Sequence, residues 1–145
     1  AFACDFVIAS SEANFIQSFA KVGLIPDSGG TYMLPRLFGL ARATAMTMLG
    51  EKLSAQRAYE LGAIYAVVEP TKVLEEATKL AMNLAKMPTR GLGLTKRGLN
   101  LSFGNSLSEQ LAVEELLQNE AGQSDDYAEG VLSFIEKRVP QFKGK

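Results

Sequence analysis

Histidine is absent from this 145-residue sequence, and cysteine occurs once, at Cys4. Without histidine the chain offers neither the commonest general base near neutral pH nor a Ser-His-Asp or Cys-His nucleophile. A single cysteine excludes an internal disulfide and favours a reducing compartment, so we expect a cytoplasmic protein. Proton transfer by this chain would depend on carboxylates, lysine, tyrosine, cysteine or backbone amides.

An excess of either charge is also lacking, because 15 Lys and Arg stand against 16 Asp and Glu and leave a formal net charge of -1. Such a chain generates no strong field toward nucleic acids or anionic membranes, so we expect neither as a partner. No apolar run is long enough to span a bilayer, and residues 1–10 lack the basic stretch of a signal peptide. The composition, 47% hydrophobic and 21% charged with 5 Pro, is typical of a globular domain.

The chain begins with alanine inside an apolar run, without methionine or a turn residue ahead of it. We therefore expect it to be part of a longer polypeptide. It shows no internal repeat, low-complexity tract or linker, which indicates one domain or part of one.

Apolar periodicity predicts two short strands and a series of helices. Residues 6–8 have the pattern of a buried strand, and 67–68 that of a shorter one. Helices are predicted over 31–38, 41–49, 54–61, 71–87, 106–122 and 124–138. Few strands and many helices favour an all-α fold, whereas an apolar strand that leads into a Gly-rich loop and a helix is typical of α/β proteins. The residues by themselves leave both classes open.

Several predicted helix boundaries depend on single residues. Serine N-caps are expected at Ser54 and Ser124, and Ser106 forms a capping box with Glu109. Pro35 is expected to start or kink a helix.

Asp27 is the outstanding candidate for chemistry, because it lies in a loop at residues 23–30 that contains three Gly and one Pro. A carboxylate held there beside apolar residues could act as a general base. Alternatively, Asp27 only caps the following helix by accepting hydrogen bonds from the amides of Gly29 or Gly30. The two glycines could bind an anion, but close helix packing explains them equally well.

Other candidates have simpler explanations at this stage. Cys4 has no basic neighbour and is expected as a small buried hydrophobe. The basic pair Lys137 and Arg138 could contact phosphate, although such pairs usually lie on solvated helix faces. Phe134 and Phe142 are more often core residues than platforms for stacking a ligand.

Five segments together resemble the crotonase, or enoyl-CoA hydratase/isomerase, superfamily. They are residues 3–10 (Ala-Cys-Asp-Phe-Val-Ile-Ala-Ser), 23–31 (Gly-Leu-Ile-Pro-Asp-Ser-Gly-Gly-Thr), 34–36 (Leu-Pro-Arg), 50–58 (Gly-Glu-Lys-Leu-Ser-Ala-Gln-Arg-Ala) and 129–138. The match runs in order along the whole chain and corresponds to about the C-terminal half of a family member. The resemblance implies an α/β, crotonase-like fold, with 1–145 as the C-terminal part of a single domain and about 71–145 as its C-terminal helical region.

The activity that this resemblance implies is enolate chemistry on an acyl-CoA thioester, stabilised by two backbone amides. Both of those amides belong to family segments that precede Ala1, so this chain alone is expected to be inactive. Family hydratases place one of their two Glu residues where this sequence has Phe19, and phenylalanine cannot transfer a proton. Asp27 matches the acid of the family's isomerases, and residues 25–30 are most similar to the isomerases of ring epoxides in phenylacetyl-CoA degradation. The resemblance therefore implies an isomerase that shifts a double bond or rearranges a ring epoxide, with Asp27 as proton shuttle.

The resemblance also implies binding roles and partners. Phe134 and Lys137 match positions near the CoA adenine and ribose phosphate, and Phe19, Leu24 and Tyr32 are candidates for the acyl pocket, with core packing as the alternative for each. The substrate would be an acyl-CoA, without a metal or redox cofactor, and the assembly a homotrimer or homohexamer.

Three other functions are alternatives to isomerisation. Enoyl-CoA hydratase activity is the main alternative, and a non-catalytic CoA- or RNA-binding assembly role is another. Dehalogenation, for which relatives use the corresponding Asp as a nucleophile, needs a histidine that this chain lacks.

Overall fold

The chain folds into two units, Ala1–Thr78 and Lys79–Lys145, in a computed structural model that describes all residues from 1 to 145. The first unit contains all the strands and three α-helices, whereas the second is helical apart from its connections and its C-terminal tail. Helix α4 (Val73–Leu84) begins in the first unit and ends in the second.

Two short strand pairs organise the first unit. Strand β1 (Ile8–Ser10) pairs in parallel with β4 (Ala66–Val68), and β2 (Asn14–Phe15) pairs antiparallel with β3 (Leu53–Ser54). A parallel pair linked through helices is the α/β arrangement. The strand predicted at 67–68 is confirmed, while β2 and β3 are too short to be recognised in the sequence.

The first strand begins two residues later than the apolar run suggests. Phe6 lies outside the strand and packs edge-on against Tyr65, with ring centroids 5.3 Å apart. Ala9, in the centre of the strand, is the buried residue. The apolar run therefore includes a side chain that packs next to the strand as well as residues of the strand itself.

The helices of the first unit are α1 (Gly30–Phe38), α2 (Leu40–Thr44), which continues as a π-helical turn over Ala45–Leu49, and α3 (Ala55–Glu60). Pro35 lies inside α1, and the break between α1 and α2 occurs at Gly39, where it was predicted. Ser54 caps α3 as predicted, since its hydroxyl accepts the amide hydrogen of Arg57 at 3.2 Å.

The core of the first unit fixes the helix that follows the Asp27 loop. Leu34 of α1 and Met46 of the π-helical turn are each only 1% exposed. Burial of such a side chain contributes about 1.5–3 kcal/mol, so α1 is held firmly in place. Cys4, by contrast, is exposed, and the prediction that it is buried is wrong.

The second unit contains α5 (Thr89–Ser102), α6 (Leu107–Gly122) and α7 (Asp125–Glu136). Helices α5 and α6 approach closely at Gly98, where an added Cβ would lie 3.3 Å from Leu117 Cδ1. The predicted capping box at Ser106 is present, and Ser124 caps α7. Helix α7 ends at Glu136, before the predicted position near 138, because Lys137 takes a left-handed conformation with φ 54. None of the helices is both long and apolar enough to cross a lipid bilayer.

Candidate active site

A tight turn precedes the Asp27 loop and brings two of the candidate pocket residues together. Residues Phe19–Val22 form a 3-10 turn that ends at Gly23, whose φ of 76 favours glycine. The amide of Leu24 donates to the carbonyl of Phe19 at 3.0 Å. Phe19 is half-buried and Leu24 is exposed, so Leu24 presents apolar surface next to the loop.

The backbone after Asp27 is unusually constrained. Ser28 (φ 49) and Gly29 (φ 82) are consecutive left-handed residues, and the amide of Gly30 donates to the carbonyl of Asp27 at 2.8 Å. Gly30 also packs closely, because a Cβ at this position would lie 3.0 Å from Pro26 Cβ. The position of Asp27 is therefore set by backbone geometry on its C-terminal side.

The side chain of Asp27 is exposed, and its carboxylate makes no hydrogen bond or ion pair within the chain. A helix cap would accept the amide hydrogens of Gly29 or Gly30, and such bonds are absent. The capping explanation of Asp27 thus loses its physical basis. A carboxylate without internal partners on a rigid loop can accept or donate a proton at a bound substrate.

Tyr32, in the first turn of α1, lies close to the same loop. Its amide donates to the carbonyl of Gly29 at 3.0 Å, and its ring is 50% exposed. Arg36 Cζ lies 3.5 Å from the centre of the ring, and an Arg36 guanidinium nitrogen donates to the Tyr32 carbonyl at 3.0 Å. This cation–π contact restricts the orientation of Tyr32. Sequence reasoning missed Arg36, although its spacing of four residues from Tyr32 places both on one helix face.

The candidates for CoA binding lie in the second unit. Phe134 is 85% exposed, so its interpretation as a core residue is wrong. It lines an apolar groove of about 480 Å³ together with Pro88, Tyr127, Val131 and Phe142. Lys137 follows at the end of α7, where its left-handed backbone donates an amide hydrogen bond to the carbonyl of Phe134 at 3.3 Å. An exposed aromatic ring and a lysine three residues later, at the end of the helix, suit a nucleotide base and a phosphate.

Arg138, the other member of the predicted basic pair, is engaged by carboxylates. Its guanidinium makes a bidentate contact with Glu129 at 2.6 and 2.8 Å, and its Nε contacts Glu136 at 2.6 Å. Arg138, with a further bond from the amide of Gln141, lowers the pKa of Glu129 to about 2. These carboxylates likewise raise the pKa of Arg138. No local pattern of residues indicated this network, which joins α7 to the residues after it.

The predicted site residues are thus divided between the units. Asp27, Phe19, Leu24 and Tyr32 occupy one continuous stretch of the first unit, and Phe134 and Lys137 occupy the end of α7 in the second. No group of three Cys, Asp or Glu side chains is arranged to hold a metal ion.

Known proteins are similar to this chain over its whole length. The family model described as enoyl-CoA hydratase/isomerase matches residues 1–145. The 1,2-epoxyphenylacetyl-CoA isomerase of Escherichia coli is 49% identical over 141 residues, which are 97% of this chain and 54% of that protein. A probable enoyl-CoA hydratase of Rhodobacter capsulatus is 41% identical over 145 residues, 100% of this chain and 56% of the relative.

Solved structures share the fold as well. The crystal structure of an enoyl-CoA hydratase from Polaromonas sp. JS666 is similar with a TM-score of 0.94 at 37% identity, covering 98% of this chain and 55% of the other. This chain therefore spans about half the length of the relatives that it matches.

Proposed function

This chain belongs to the enoyl-CoA hydratase/isomerase family, and we propose from this premise that it supplies the proton-transferring carboxylate of an acyl-CoA isomerase. Its α/β fold is the crotonase-like fold that the sequence predicted, as the solved relative demonstrates. The family acts on acyl-CoA thioesters. The part of the reaction proposed for this chain is the movement of a proton between carbon atoms of the acyl group.

The single observation that carries the proposal is the exposed, unpartnered carboxylate of Asp27 on a loop fixed by Ser28, Gly29 and Gly30. In the proposed reaction, Asp27 removes a proton from the carbon next to the thioester, and the electron pair of that C–H bond forms an enolate. Asp27 then returns the proton further along the conjugated system. Backbone amides would stabilise the enolate oxygen, and the resemblance assigns those amides to segments that precede Ala1.

Two observations favour isomerisation over hydration. Hydratases of the family are expected to carry a glutamate at the position of Phe19, and a phenyl ring cannot activate water. The Escherichia coli relative is an isomerase of 1,2-epoxyphenylacetyl-CoA. A ring epoxide of this kind is the substrate class that we favour, with a double-bond shift as the related reaction.

Hydration is the second candidate, since the Rhodobacter capsulatus relative and the Polaromonas structure are both described as enoyl-CoA hydratases. Because Phe19 replaces one of the two glutamates of the family's hydratases, hydration would require the other glutamate, upstream of Ala1, to activate water alone. Conversion of a short 2-enoyl-CoA into a product that is heavier by one water, detected by mass spectrometry, distinguishes hydration from isomerisation, which leaves the mass unchanged.

The nucleotide end of the substrate is proposed to bind at the end of α7. Phe134 would contact adenine, and Lys137 would pair with a phosphate group. Phe19, Leu24 and Tyr32 would line the acyl pocket beside Asp27. We further propose a homotrimeric or homohexameric assembly and a reaction that needs no metal or redox cofactor.

Replacement of Asp27 in the intact protein tests the proposed function. Asp27→Asn should lower kcat for isomerisation by about a hundredfold to ten-thousandfold, because the amide cannot accept the proton. Folding, followed by circular dichroism, and calorimetric CoA binding should be unchanged. Glu51→Gln is the matched control, since Glu51 is another exposed carboxylate of the first unit.

Turnover retained by Asp27→Asn would show that Asp27 is not the proton shuttle. Wild-type protein that hydrates 2-enoyl-CoA faster than it isomerises any acyl-CoA would establish the second candidate instead.

A further inference from the structure

The last residues of the chain are bound to α7 through a buried carboxylate. We call residues 139–145 the C-terminal strap. Asp126 is 3% exposed, and its two carboxylate oxygens accept the amide hydrogens of Lys143 at 2.6 Å and Gly144 at 2.8 Å. The Asp126 amide in turn donates to the carbonyl of Lys145 at 3.1 Å. Burial of a carboxylate is costly without such bonds, so the strap and Asp126 depend on each other.

A second carboxylate holds the beginning of the strap. Glu129 accepts the amide hydrogen of Gln141 at 2.8 Å, in addition to its bidentate contact with Arg138. Asp126 and Glu129 are three residues apart on α7 and therefore lie on one face of that helix. The strap is thus attached at two successive points along the helix.

Between these two points, the strap contributes a wall of the apolar groove. Phe142 lines the groove with Phe134 and Tyr127. Its ring lies directly over Gly130, where an added Cβ would be 3.7 Å from Phe142 Cε1. Gly130 therefore makes an ordinary van der Waals contact with this ring. Gly144 is tightly packed, because a Cβ there would collide with Thr89 Oγ1 and its φ is 74. Phe142 thus lies between a contact with α7 and a tightly packed glycine.

We propose that the C-terminal strap positions the groove that receives the nucleotide end of the acyl-CoA substrate, with Asp126 and Glu129 as positioning residues. The inference rests on the proposed function, since it needs an acyl-CoA substrate. The apolar groove and the exposed ring of Phe134 suit a flat base, and Lys137 at the end of α7 suits a phosphate. Loosening the strap would displace Phe142 and the end of α7 without touching the reacting carbon atoms.

The test compares two thioesters of the same acyl group in the intact protein, one of CoA and one of pantetheine, which lacks the adenine nucleotide. Asp126→Asn places an amide NH2 group against a strap amide. It should raise KM for the acyl-CoA about tenfold with kcat unchanged, and leave both constants for the acyl-pantetheine as in the wild type. Glu115→Gln is the control, because it removes one negative charge from an exposed position of α6 that makes no hydrogen bond or ion pair.

Phe142→Ala is the second variant, which keeps both carboxylate attachments and decides the question if Asp126→Asn does not fold. Equal losses on both thioesters, or no change on either, would overturn the strap proposal. If the wild type binds CoA but turns over no acyl-CoA, the proposed function fails while the strap is still tested by calorimetry. Weaker CoA binding by the variants would then support it, and unchanged binding would overturn it.

Discussion

Two aspartates of this protein have opposite environments. Asp27 is exposed and has no internal partner, whereas Asp126 is almost fully buried and accepts two amide hydrogen bonds. Both oxygens of Asp126 are occupied by amides of the C-terminal strap, and the side chain is too deeply buried to reach a ligand. At the scale of residues, the carboxylate of Asp27 is available to a ligand, whereas that of Asp126 attaches the C-terminal strap to α7.

Glu129 leads to a prediction about acid stability. Its pKa in the folded protein is about 2, below the ordinary 4.5, chiefly because Arg138 binds its charged form. The stabilisation should therefore be complete above pH 4.5 and decline as the pH falls toward 2. Glu129→Gln lacks this contribution, so the difference in Tm between wild type and variant should be greatest above pH 4.5 and shrink as the pH falls through 2.

Thermal unfolding followed by circular dichroism across this pH range measures that difference. Glu115→Gln is the control, because Glu115 is exposed on α6 and makes no hydrogen bond or ion pair. A Tm difference for Glu129→Gln that stays constant with pH would contradict the assignment of the Arg138 contact as its cause.

At the scale of elements, serine caps define where three helices begin. The hydroxyls of Ser54, Ser106 and Ser124 accept the amide hydrogens three residues later, at 3.2, 3.4 and 3.1 Å. In the reciprocal direction, the Ser106 amide and the Ser106 hydroxyl each donate to Glu109 Oε2 at 2.7 Å. These two bonds to the carboxylate lower the pKa of Glu109. A cap involves only four consecutive residues, which is why all three were recognised in the sequence.

Ser106→Ala should lower the free energy of unfolding by about 1 kcal/mol, because the amide of Glu109 loses its acceptor. Urea denaturation of the intact protein measures the change. Ser108 is the exposed second residue of α6 and does not cap it. Ser108→Ala should therefore leave the free energy of unfolding within about 0.5 kcal/mol of the wild type. Equal effects of the two substitutions would show that the capping box contributes nothing beyond helix propensity.

Elements without such local signals were missed. Helix α5 contains Gly91, Gly93 and Gly98, residues that disfavour an isolated helix, and no helix was predicted there. Gly98 is required instead by packing, since its main chain lies against Leu117 and its carbonyl accepts a bond from Gln110 at 3.1 Å. Tertiary contact with α6 outweighs the local preference of α5.

At the scale of the whole molecule, the balanced charge argues against an RNA-binding role. Affinity for RNA depends on clustered Lys and Arg that displace counterions, and the formal net charge is -1. We predict that anisotropy titration of a labelled single-stranded RNA shows no binding at low salt, where such binding is strongest. A basic RNA-binding protein serves as the positive control. Salt-sensitive binding by the intact protein would revive the non-catalytic alternative.

Two larger statements about the molecule stay predictions. They are the membership of residues 1–145 in one larger crotonase-like domain and the trimeric or hexameric assembly. The two compact units, Ala1–Thr78 and Lys79–Lys145, are a feature of this chain and do not test whether it is part of a larger domain.

The sequence alone determined the family, the serine caps and Asp27 as the candidate for proton transfer, because these depend on composition and on residues close together in the chain. The tertiary structure decided the rest. Pairing of Ile8 with Ala66, exposure of Phe134 and attachment of the C-terminal strap to Asp126 all require segments distant in sequence to meet. Burial and long-range hydrogen bonds depend on which segments become neighbours, and no local pattern of residues specifies that.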